Sequence, residues 1–72
     1  MTQYSNKSGN SGILAYEIRD SQISIKFSDG SVYHYSYISA GQSNVEQMKK
    51  LALQGEGLNS FINTQVKFKY VR

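Results

Sequence analysis

Phe27-Ser-Asp-Gly30-Ser-Val-Tyr33-His34-Tyr35-Ser-Tyr37 decides the fold of this chain, because it holds one tight turn followed by a tyrosine at every second residue. Two turn chemistries compete for it. A two-residue Asp29-Gly30 turn pairs Phe27 with Val32 and Ile25 with His34, which buries His34 and Ser36 and leaves Tyr33, Tyr35 and Tyr37 in water. A three-residue loop with Gly30 in the left-handed conformation pairs Ile25 with Tyr33 and Ile23 with Tyr35 instead. The two differ by a one-residue slip, which exchanges the faces completely. A stranded buried imidazole or hydroxyl costs on the order of 1–3 kcal/mol, so the three-residue loop is preferred. The tyrosines then join the isoleucines, and His34 and Ser36 share a polar face with Ser24 and Lys26.

Upstream, Gln22 to Ser28 alternates without a fault, with Ile23, Ile25 and Phe27 on one side of a half-buried strand. Asp20-Ser21 is a turn signal. Ile13 to Arg19 reads as a preceding strand with Leu14, Tyr16 and Ile18 on one side. The strand after Gly30 is expected to run to about Ile38. These segments predict a three-stranded antiparallel meander over Ile13–Ile38.

Downstream, Ala40-Gly41-Gln42 breaks the sheet and Ser43-Asn-Val-Glu46 has the spacing of a capping box. A main helix is expected over Asn44–Gln54, with Val45, Met48, Leu51 and Ala52 on its apolar stripe and Gly55 as its stop. Leu58, Phe61 and Ile62 suggest a short second helix near Leu58–Asn63. Val66 to Arg72 alternates Lys67 and Lys69 against Phe68 and Tyr70, as either an extended tail or a short basic edge strand. Residues 1–12 are polar and rich in Ser, Asn and Gly, with Tyr4 the one large apolar side chain, and are read as a flexible tail. The prediction is one α+β domain over residues 13–72, with both helices on the face of Ile23, Ile25, Phe27, Tyr33 and Tyr35.

Composition narrows the chemistry. At 72 residues the chain is one domain at most, and large side chains must supply its core. It has no cysteine and one histidine, which excludes disulfides, thiolate metal sites and cysteine nucleophiles. Neither a metal nor another cofactor is expected. No apolar run approaches the ~20 residues of a membrane span, and no basic-then-apolar leader opens the sequence. A soluble cytoplasmic protein without membrane or small-molecule partners is the expectation. The net charge of +3 is shared by nucleic-acid binders and by many unrelated small proteins.

A Ser-Gly before an aliphatic strand, then Phe27, Gly30, Tyr33-x-Tyr35, a helix, Gly55, Asn59 and Ile62 resembles the KTSC domain. That module occurs at the C-terminus of some lysyl-tRNA synthetases and as a stand-alone bacterial or phage protein. The resemblance covers about residues 11–70. Leu53-Gln54 stands where the family usually has Ser-Lys, and Leu58 where it usually has an aromatic. It implies a non-enzymatic accessory module that binds RNA, with the signature aromatic pair in the core.

For the site, the electrostatic candidates are Lys67, Lys69 and Arg72, joined by Lys49, Lys50, Lys26 and Arg19, with His34 beside Lys26 as a further phosphate-contacting or base-stacking candidate. Clustered on one face, such cations release counterions from a phosphate backbone. Scattered, they only keep a small protein soluble. Tyr33 and Tyr35 are either base-stacking rings or core, Tyr37 is nearer the strand end and more exposed, and Asn59 either contacts nucleic acid or ties down its own backbone. Catalysis by His34 lacks an orienting acid in this register. RNA or DNA is the leading partner. The alternative is a larger protein docked on a sheet edge or on the polar face.

Overall fold

A computed structural model describes residues 1–7 and 12–71. The strands are β1 (Thr2–Gln3), β2 (Ile13–Arg19), β3 (Gln22–Phe27) and β4 (Val32–Ser36), in one antiparallel sheet of order β1-β2-β3-β4. Helices α1 (Tyr37–Ala40), α2 (Gln42–Gln54) and α3 (Leu58–Phe61) follow, and α3 continues into a π-helical segment over Ile62–Val66. The α+β architecture matches expectation, but the sheet has four strands where three were predicted.

The extra strand comes from the segment read as a flexible tail. Thr2 pairs with Tyr16 and Gln3 with Ala15, and the Tyr4 N–H continues the ladder to the Leu14 carbonyl at 2.9 Å. Tyr4 is buried, and its hydroxyl accepts a hydrogen bond from the Leu58 N–H at 3.4 Å. The Lys7 N–H donates to the Gly55 carbonyl at 2.7 Å. One aromatic ring therefore offsets the ordering of a polar segment by entering the core. The rest of that tail, residues 8–11, lies outside the described residues.

The decisive hairpin has the three-residue loop. Ile25 pairs with Tyr33 and Ile23 with Tyr35. The Phe27 N–H reaches the Ser31 carbonyl at 2.8 Å, and Gly30 has φ +91°. Asp29 Oδ1 accepts from both the Ser31 N–H and its hydroxyl, and this holds the Asp29 carboxyl below its usual range. Ile23, Ile25 and Tyr35 are fully buried, whereas Tyr33 is 38% exposed at the rim.

Three local expectations fail for identifiable reasons. In β2 a bulge between Ile13 and Ala15 turns Ile13 into the core and leaves Leu14 exposed, while Ile18, in regular register opposite Ile23, is 38% exposed next to the end of the strand, so only Tyr16 of the expected apolar side is buried. The strand expected to reach Ile38 ends at Ser36, because Ser36 and Ser39 form a reciprocal capping box that starts α1 at Tyr37. The capping box expected at Ser43 and Glu46 does not form: α2 starts at Gln42, so Ser43 is already inside the helix, and the Glu46 carboxylate turns to Tyr37 and Lys49.

The apolar stripe of α2 is as expected, with Val45, Met48 and Ala52 buried and Leu51 half-buried. Gly55, at φ +82°, ends the helix with its N–H on the Leu51 carbonyl. Leu58, Ile62 and Val66 recur every fourth residue and all are buried, which carries helical structure past Asn63 into the segment expected to be extended. The C-terminal segment is not a strand. Its one backbone bond to the sheet among the described residues runs from the Val71 N–H to the His34 carbonyl, at 2.6 Å.

Candidate nucleic-acid interface

The turn into the C-terminal segment brings Lys67, Phe68 and Tyr70 back over the end of the sheet that carries Phe27, Tyr33 and Tyr35. Together with Ile62 and Asn63 they line a groove of about 230 Å³. The Tyr70 ring lies 4.8 Å from Tyr33, tilted by 47°, and 6.5 Å from Tyr35 at 88°. Phe27 meets Tyr33 edge-on at 5.7 Å. These offset and edge-to-face contacts are the favourable ones for aromatic quadrupoles, so the rings hold one another in place.

The groove is graded from dry to wet. Tyr35 and Ile62 form its buried floor, and Tyr33 and Phe68, the latter 67% exposed, offer ring surface to solvent. Burial pushes the Tyr35 phenol up to about 12, with the Tyr33 and Tyr70 phenols adding to the effect. Lys67 Nζ stands 5.4 Å from the Phe68 ring centroid, which puts a cation at the groove. Lys69 is exposed one residue beyond Phe68.

The other expected cations fall elsewhere. Lys49 is 14% exposed, donates to the Asp20 carbonyl at 2.8 Å, pairs with Glu46 at 2.8 Å and lies over the Tyr37 ring. Its ammonium, with the Tyr37 hydroxyl at 2.5 Å, holds the Glu46 carboxyl below its usual range. That network ties α2 to the turn between β2 and β3 and commits Lys49 to structure. Lys50 is exposed on α2. Lys26 and His34 lie on the side of the sheet away from the helices, since the pleat alternates them with Ile25 and Tyr35. The groove and the Lys26–His34 face are therefore on opposite sides of β3 and β4, and the predicted cations do not form one patch. Arg72 lies outside the described residues.

On that open face His34 Nδ1 is 2.6 Å from Ser24 Oγ and 3.4 Å from Gln22 Nε2. A serine beside a histidine invites a nucleophile reading. However, Ser24 is 3% exposed and Glu17, its cross-strand neighbour, is engaged by Arg19. The hydroxyl is shielded and the nearest acid is occupied, so the pair orders the imidazole on the sheet. Among the described residues no group of three His, Cys, Asp or Glu side chains could hold a metal ion, and no helix is long and apolar enough to cross a membrane.

Of the cations named from sequence only Lys67 lines the groove; Tyr33 and Tyr35, left open between stacking rings and core, line it too, and Phe68, Tyr70 and Asn63 join them without having been named for it. The available signal was the alternation of lysine and aromatic over residues 67–70, which does not say what the rings meet. Asn59 sits in α3 and is not among the residues lining the groove. Comparison with protein-family models, with curated proteins and with solved structures gives no significant match.

Proposed function

We propose that this chain is a small non-enzymatic accessory module of KTSC type that binds RNA, or nucleic acid generally, through basic side chains with little sequence preference. The observation that carries the reading is the juxtaposition of Lys67 with the solvent-facing rings of Tyr33 and Phe68 at one groove, with Lys69 exposed two residues further along the chain. Cations along a groove floored with aromatics suit a polyanion whose bases have π-faces, and the net charge of +3 has the right sign for it. The cytoplasm is the compartment that goes with such a role.

A short RNA titrated at about 50 mM and about 200 mM salt tests this. Binding is expected at the lower salt and should weaken steeply at the higher. Replacing Lys67 and Lys69 together by Ala should lower the slope of log K against log salt by roughly 1.4, at about 0.7 per phosphate contact on a single strand. No binding at low salt removes the proposal. A second reading, a protein-interaction module, draws on Ile38, 98% exposed on α1, and Leu53, 70% exposed on α2. Under it RNA does not bind, and replacing Ile38 and Leu53 by polar residues abolishes capture of the protein partner.

A further inference from the structure

We infer that the groove between β4 and the C-terminal segment is a subsite for one unpaired nucleobase of a single strand, with the adjoining phosphate at Lys67. This rests on the proposed nucleic-acid function and adds to it the part of the ligand that the groove holds.

Three observations select that occupant. The first is size: about 230 Å³ lies below the range of about 300–1,000 Å³ usual for drug-sized ligands. That is room for one planar ring system. The second is the lining. Five aromatic side chains, Phe27, Tyr33, Tyr35, Phe68 and Tyr70, border the space together with the Asn63 amide, so faces for stacking are joined by a group able both to donate and to accept at a base edge.

The third is charge. Clusters of aromatic rings also recognise quaternary or methylated ammonium groups. Here Lys67 lines the same space and stands over the Phe68 ring, so a second cation would meet like charge. An aromatic ring bearing an anion meets the opposite. Duplex nucleic acid is unsuited as well, because its base faces are stacked on one another and are not free to stack on the rings of the groove.

The test uses the full chain and three oligonucleotides of about eight nucleotides each: an unpaired strand, the same length of abasic sugar-phosphate, and a blunt duplex. A free nucleoside monophosphate is the fourth arm. The unpaired strand is expected to bind at least about fivefold more tightly than the other three. Phe68→Ala should weaken it by about 5- to 150-fold, which is the stacking contribution per base converted at tenfold per 1.4 kcal/mol, and should leave abasic binding unchanged. Phe68 is largely exposed, so this variant keeps its fold; Tyr33→Ala is the second variant and should act in the same direction. Equal affinity for unpaired and abasic strands overturns the base subsite while leaving the phosphate-based reading intact. Equal affinity for the monophosphate and the strand, or unchanged strand binding in both variants, also overturns it. Absence of binding by every oligonucleotide removes both readings together.

Discussion

Tyr35 is where packing and titration meet in one side chain. It is 1% exposed, is paired with Ile23 across the sheet and packs edge-on against Tyr70. Truncating a buried aromatic of this kind costs about 3–5 kcal/mol, against a total of roughly 4–11 kcal/mol for 72 residues. Tyr35→Ala should therefore bring the domain close to unfolding in urea, while Tyr33→Ala, at the rim, should cost only about 1 kcal/mol. Its phenol is pushed up to about 12 by burial, so the folded state holds this proton more tightly than the unfolded chain does. The stability that follows is fully present below pH ~10 and is lost as pH rises through about 12. Urea melts between those values should show a decline in stability attributable to this residue. Tyr35→Phe keeps the ring and should flatten the decline; an undiminished decline in that variant would show that other groups are responsible.

Among the elements, the C-terminal end of α2 has the tightest constraint. Gly55 has φ +82°, and a Cβ placed there would stand 2.6 Å from the Ser5 Cβ. Gly30 has φ +91° with nothing within 4 Å of the same position. Gly30→Ala should therefore cost only the left-handed penalty of about 1–2 kcal/mol, and Gly55→Ala about 2–4 kcal/mol, as the N-terminal segment must also move. Hydrogen exchange discriminates the two, because the Lys7 N–H bonded to the Gly55 carbonyl should lose protection in Gly55→Ala and keep it in Gly30→Ala. The role of Gly55 as a helix stop was legible, since a glycine directly after an apolar stripe has few other uses. So was the register of the hairpin, because a slip would have buried His34. The bulge in β2 was not, since Ile13 and Leu14 are equally apolar and only the pairing with β3 decides which turns inward. Nor was the early start of α2: Ser43 and Glu46 have capping spacing, but Glu46 has stronger partners in Lys49 and Tyr37.

At the scale of the whole molecule, the groove and the fourth strand were hidden for the same reason. Each depends on chain ends returning to the middle: Tyr70 onto β4, and Tyr4 into the junction of β2 with α3. Local pattern carries no such information. Tyr4 gives a direct measure of what that closure contributes. It is 3% exposed, its N–H extends the sheet to Leu14, and its hydroxyl meets the first N–H of α3, a helix with no side-chain cap of its own. A small domain buries a limited share of its surface, so removing one of its large core side chains is felt globally. Tyr4→Ala should cost about 3–5 kcal/mol, as much as Tyr35→Ala, although Tyr4 lies in a segment that composition alone marks as disordered. Tyr4→Phe retains the ring and loses one long hydrogen bond, so it should cost about 1 kcal/mol or less. Urea melts of the two variants check the argument: a Tyr4→Ala midpoint equal to that of the parent chain would mean that the N-terminal strand adds nothing to the stability of the fold.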